Sequence, residues 1–224
     1  YGHSKSAYRF DKETNTIYKG LSSIKFINET VPEELYQLSK NHYNSFIDLL
    51  YDIMEKTSID SRQIDILIKI DFFHDFGDIN YLLLCNKWFD CMPNKQISKE
   101  KAYRLGIDFD LLRKYSRKEA PKTFINIDSY GLLKEIVSCL QYEPINLKQR
   151  IAYSIEHVGY IDICDKKYKN ICVVTDLNVK YTPILTLYAL ANGNIIPVKI
   201  QKKIFESHPL KAKDIIRILP AGAC

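Results

Sequence analysis

Ile59–Gly77 reads IDSRQIDILIKIDFFHDFG. A polar start, Asp60-Ser61-Arg62, leads into apolar residues at helical spacing, Ile64, Leu67 and Ile68, and the run stops at aromatics followed by Gly77. The spacing predicts a short helix leaving a tight polar turn, a geometry in which backbone N–H groups can approach a phosphate. Ser61 and Arg62 stand where the helix dipole favours an anion. A plain helix cap is the ordinary alternative for Ser61.

Working outward, the first twenty residues read as a β-hairpin: Ala7–Phe10, a polar turn over Asp11–Asn15, then Thr16–Lys19, ended by Gly20. Leu21 and Ile24 continue as a helical stretch broken at Phe26–Asn28. Val31-Pro32 opens a helix through Leu35 and Leu38. Asn44-Ser45 caps the next, whose Phe46, Leu49, Leu50 and Ile53 share one face, and Ile79–Phe89 forms another apolar helix. Over Cys91–Asp128 the pattern weakens. Pro93, Pro121 and the charge run Arg113–Lys118, which reads as a solvated face, predict an irregular connection with short helices, and clearer helices lie near Ser129–Leu140 and Leu147–His157. After Gly159 the period becomes two. Tyr160–Cys164, Ile171–Val179, Ile184–Leu190, Ile195–Ile204 and Asp214–Leu219 read as five strands, with a tight-hairpin signal at Asn192-Gly193-Asn194. The expectation is an α+β chain: a hairpin over 1–20, a helical region over 21–90, a connection over 91–145, and a five-stranded OB-type barrel over 146–224.

Composition bounds the rest. Hydrophobic residues make up 46% and charged residues 26% of 224, ordinary for a globular chain able to bury a core. No apolar run reaches the roughly 18 residues a membrane span needs, and the start has no apolar segment of a signal peptide, so the cytoplasm is the default expectation. The six cysteines form no C-x-x-C pair and read as reduced, mostly buried thiols. His74, Cys85 and Cys91 lack a fourth partner for zinc, and Asp71, Asp75 and Asp78 read as decoration of a helix end more than a metal cluster. Residues 145–224 carry 12 Lys+Arg against 6 Asp+Glu, whereas residues 1–144 carry 20 against 21. The basic excess in the last third favours a polyanion.

Three segments in fixed order resemble the C-terminal region of bacterial DNA polymerase III alpha subunits. Ile17–Lys25 is similar to the lead-in of that family's first helix-hairpin-helix. Ser45–Leu50 followed by Ile59–Gly77 is similar to its second hairpin region, and Gly159-Tyr160-Ile161, Asn192-Gly193, Lys199-Ile200 and Asp214-Ile215-Ile216 to its OB domain. The family's first hairpin holds two glycines where this chain has Phe26 and Asn28, of which Asn28 is the better suited to a left-handed conformation. The resemblance implies a DNA-binding portion of a replicative polymerase, a nucleotidyltransferase, with no catalytic centre of its own. The family's acidic residues, which hold two divalent metal ions, would lie in a palm region before residue 1, so no cofactor is expected in this chain.

The partners so implied are duplex DNA, the single-stranded template and the rest of the polymerase, without a membrane. Duplex backbone contacts are expected at Lys25, Asn28, Ser61 and Arg62. Single-strand contacts are expected on the barrel at Lys166, Lys167, Tyr168 and Lys169, at Lys180 and Tyr181, and at Lys199 and Lys203, where cations interleave with stacking rings. Solvated loops are the plainer reading of the same residues. Gln201–Phe205 matches a loose sliding-clamp peptide, weighed against burial of Ile204 and Phe205 in a strand. A free-standing replisome adaptor using the OB fold as scaffold is the rival reading, and a tRNA-binding module a third.

Overall fold

The computed structural model describes residues 1–219. The chain divides into two compact units, residues 1–153 and 154 onward, with the boundary inside one helix.

In the first unit, β1 (Arg9–Asp11) pairs antiparallel with β2 (Thr16–Tyr18) around the expected polar turn. Leu21–Ser23 is a single 3-10 turn. Then come α1 (Val31–Leu38), α2 (Phe46–Lys56), α3 (Ser61–Lys69) and α4 (Ile79–Cys91). Their starts follow from side chains that satisfy orphan N–H groups: the Ser45 hydroxyl accepts from Asp48 N–H, and the Asp78 carboxylate from Asn80 N–H. The cap of α3 is Asp60, which accepts from Gln63 N–H while Gln63 reaches back to Asp60 N–H. Ser61 is therefore the first helical residue and not the cap. Leu35, Leu49, Leu50, Ile53, Leu67, Ile68 and Phe73 meet in one core, each contributing about 1.5–3 kcal/mol by leaving water.

Helix α3 ends in a Schellman closure, with Phe72 N–H donating to the Leu67 carbonyl and Asp71 N–H to that of Ile68. Asp71 takes the left-handed position at φ 64°.

Residues 93–127, expected to be irregular, are ordered. β3 (Gln96–Ser98), α5 (Lys99–Arg104), α6 (Phe109–Tyr115), β4 (Ser116–Glu119) and β5 (Thr123–Ile127) follow one another, and the strands form an antiparallel sheet with β5 in the middle. Ile97, Ala102, Leu112, Phe124 and Leu132 form a separate small core against which Trp88 packs. Helices α7 (Ser129–Ser138) and α8 (Leu147–His157) follow, close to their expected bounds.

The second unit is built on β6 (Ile171–Asn178), β7 (Ile184–Ala189), β8 (Ile195–Lys199), α9 (Lys202–Ser207) and β9 (Ile215–Arg217). Its sheet runs β8-β7-β6-β9, every pair antiparallel. The expected closed five-stranded barrel is not present among the described residues. Residues 160–164 form no strand: Ile161 and Ile163 are buried, which produces the strand-like alternation, but they join no ladder. The strand expected over 195–204 stops at Lys199: Ile200 N–H makes one more bond toward β7, to the Pro183 carbonyl, and Gln201 then caps a helix. The end of the expected 146–224 domain, Pro220–Cys224, lies outside the described residues.

Candidate nucleic-acid interface

The turn between the Leu21–Ser23 segment and α1 is closed by Ile27 N–H donating to the Ile24 carbonyl at 3.3 Å. Phe26 crosses it at φ 68°, a conformation unfavourable for a bulky residue. The left-handed position thus falls on Phe26 and not on Asn28, the residue better suited to it. What holds Phe26 there comes from α3. The Gln63 amide donates to the Phe26 carbonyl at 3.1 Å, and the Arg62 guanidinium lies 4.1 Å from the ring centroid. The turn between α2 and α3, Thr57–Asp60, joins the same place: Ser58 hydroxyl lies 3.4 Å from that of Thr30, and Ser58 N–H donates to Glu34 at 2.9 Å.

So the turns expected in two separate hairpins form one crest. Phe26 on one meets Arg62 and Gln63 at the start of α3, which brings the sequence neighbours Lys25 and Asn28 on one side, and Ser61 on the other, to the same region. Among the described residues, the N–H groups of Lys25, Phe26, Asn28, Ser61 and Arg62 donate to no other group, and the Lys25 ammonium has no ion-pair partner. Donors without partners at a left-handed turn make a concavity suited to an anion. The charge near it in sequence is balanced: Lys25 and Arg62 are offset by Glu29 and Asp60, and Asp60 is occupied in capping. Phe26 is 60% exposed, and its side chain is bulk that a glycine at this turn would not bring to an approaching phosphate. Gln63 was not singled out in the sequence. The signal for Gln63 was its place three residues after Asp60, the reciprocal capping pattern.

The basic residues of the second unit lie in separate places along its sheet. Lys166, Lys167 and Tyr168 make a 3-10 turn capped by Asp165, and Lys169 follows it just before β6 begins. Lys167 pairs with Asp165 at 2.9 Å and lies over the Tyr168 ring. Lys180 and Tyr181 sit beyond the far end of β6, where Lys180 lies 5.6 Å from the ring centroid of Tyr181, itself 80% exposed. Lys199 joins them at that end, since it pairs with Ile184, the first residue of β7. Eight residues of strand separate the two groups, roughly 25 Å. Lys203 stands on α9, not on a strand, and in the same helix Ile204 is exposed while Phe205 packs on the sheet.

The carboxylates near Gly77 are dispersed. Asp71 pairs with Arg150 at 2.6 Å, Asp75 with His74, and Asp78 caps α4 and accepts from Ile145 N–H. Among the described residues no group of three or more His, Cys, Asp or Glu is arranged to hold a metal ion. Of the five described cysteines, all unpaired in disulfides, only Cys85 and Cys172 are buried, whereas Cys139 and Cys164 are exposed, so the expectation of mostly buried thiols is corrected. No helix among the described residues is long and apolar enough to cross a membrane.

A family model described as a helix-hairpin-helix motif matches residues 3–80. The match takes in both turns of the crest and covers about a third of the chain, so it assigns the motif to that stretch. No curated protein matches the chain.

Proposed function

We propose that this chain is the DNA-binding portion of a replicative polymerase of the polymerase III alpha type, gripping duplex through the crest and single-stranded template through the second unit. The observation that carries the reading is the convergence of the turn at Phe26 with Arg62 and Gln63 at the start of α3, inside the stretch that matches a helix-hairpin-helix motif. Helix-hairpin-helix elements present such turns, with their unpaired N–H groups, to a nucleic-acid backbone, and a contact of this kind positions the duplex without reading its sequence. The second unit supports the OB reading through its connectivity. Three strands in a meander, then a helix, then a strand returning beside the first, follow the order of the first four strands of such a barrel. The separation of its cations favours a single strand running along β6 from the Lys166–Lys169 turn to Lys180, Tyr181 and Lys199.

Fluorescence anisotropy with labelled duplex and single-stranded probes of about 25 nucleotides tests both halves. Charge reversal at Lys25 and Arg62 weakens duplex binding and spares the single strand. Reversal at Lys166, Lys167 and Lys169, or at Lys180 and Lys199, does the opposite. Binding of neither probe at low salt leaves the adaptor reading in place of this one.

A further inference from the structure

Helix α4, β3, α5, α6, β4 and β5 follow one another in that order, and the sheet they build runs β3-β5-β4. That order of elements, with the first strand pairing with the third, is the connectivity of a winged helix-turn-helix. The turn between α5 and α6 is the short glycine turn such a pair needs: Gly106 at φ 70° closes α5, with Ile107 N–H donating to the Ala102 carbonyl at 3.0 Å, and Asp108 caps α6. The side chains under it, from Trp88 of α4 to Phe124 of β5, make one core. The loop joining β4 to β5 is the wing.

Connectivity alone does not assign a ligand. The charges do. Residues 93–128 carry nine Lys+Arg against five Asp+Glu, while the rest of 1–144 carries eleven against sixteen. This basic island is invisible when charge is summed over the whole helical half. Within it, α6 is neutralised: Arg113 is held by Asp110 at 2.6 Å and by Glu119 at 2.9 Å, and Glu119 also takes Lys99. The wing is not. Arg117, Lys118 and Lys122 are exposed and have no ion-pair partner among the described residues. A self-paired α6 beside a wing of unpaired cations is built for sugar-phosphate contact more than for base readout.

We infer that residues 79–127 form a second DNA-contacting module, a winged helix-turn-helix whose wing, through Arg117, Lys118 and Lys122, holds the backbone of duplex DNA independently of its sequence. It shares its ligand with the proposed function but none of the crest residues.

The test is a salt titration of the full chain against a fluorescent duplex and, separately, the matching single strand. Arg117→Gln, Lys118→Gln and Lys122→Gln are made singly and together, with Trp88 fluorescence reporting whether the module stays folded. The inference expects the slope of log affinity against log salt for the duplex to shrink by about 0.9 for each substitution, so by about 2.7 for the triple, equally for unrelated sequences, with single-strand binding unchanged. If the triple misfolds, the three single variants decide. An unchanged duplex slope overturns the wing while leaving the crest standing whenever Arg62→Glu weakens the same duplex. A wild-type chain that binds the single strand but no duplex overturns wing and crest together and spares the second unit.

Discussion

Replacing Phe26 with glycine and with alanine separates the two influences that meet at the crest. Both substitutions remove the ring from Arg62, which costs about 0.5–1 kcal/mol for an exposed cation–π contact. The ring is 60% exposed, so little burial is lost with it. Alanine keeps a Cβ at φ 68° and so keeps the left-handed penalty, leaving it about 0.5–1 kcal/mol below the parent. Glycine sheds that penalty, about 1–2 kcal/mol, against an extra unfolded-chain entropy of about 0.4–1 kcal/mol. The glycine variant is therefore expected within about 1 kcal/mol of the parent and about 0.8 kcal/mol above alanine. Urea unfolding of the three proteins reads the differences directly. Alanine equal to or more stable than glycine would refute the claim that Phe26 is held in a left-handed turn. Glycine should also bind duplex more tightly, because it opens the space in front of the unpaired N–H groups.

Gly20→Ala places a Cβ 2.4 Å from the Ser6 carbonyl oxygen and 2.7 Å from the Ala7 carbonyl carbon, so backbone must move; a loss of about 1–3 kcal/mol is expected in urea unfolding, and no loss would mean that the Lys5–Ala7 segment does not lie there. Arg113 and Lys99 hold the Glu119 carboxyl down to about 2. Because the folded value lies below the usual carboxylate range, the stability Glu119 contributes is complete above about pH 4.5 and disappears as pH falls toward 2. The advantage of wild type over Glu119→Gln, followed by Trp88 fluorescence, should vanish across that window, and a constant difference would contradict the pairing. Burial pushes the Cys85 thiol up to about 11, so a thiol reagent at neutral pH should modify Cys139 and Cys164 quickly and Cys85 only after unfolding, as mass spectrometry of labelled peptides would show.

The longer helices were legible because their starts and faces are written locally. Ser45, Asp60 and Asp78 cap where polar residues precede apolar periodicity, and Leu147–His157 was bounded by its own pattern. The sheet β3-β5-β4 was hidden because its strands are three to five residues long and β4, Ser-Arg-Lys-Glu, has no apolar face to alternate. Tyr160–Cys164 misled in the other direction: Ile161 and Ile163 are buried at alternate positions without any strand partner. The crest was half legible. Lys25, Asn28, Ser61 and Arg62 could be picked out singly as residues near turns, but nothing local states that two turns some 35 residues apart share one surface; that depends on the Gln63 amide reaching Phe26. The spacing of the second unit's cations was hidden for the same reason. Lys166–Lys169 and Lys180 are near in sequence, and the intervening strand carries them to opposite ends of the sheet.

The central claim is that this chain holds DNA through its backbone. An anisotropy titration of the full chain against a labelled duplex of about 25 base pairs, stepped from about 50 to 200 mM salt, measures it most directly. The account predicts saturable binding at the low end that weakens linearly on a log–log plot, with the slope reduced by Lys25→Glu and Arg62→Glu. Absence of binding at about 50 mM salt, or an affinity indifferent to salt, would contradict it.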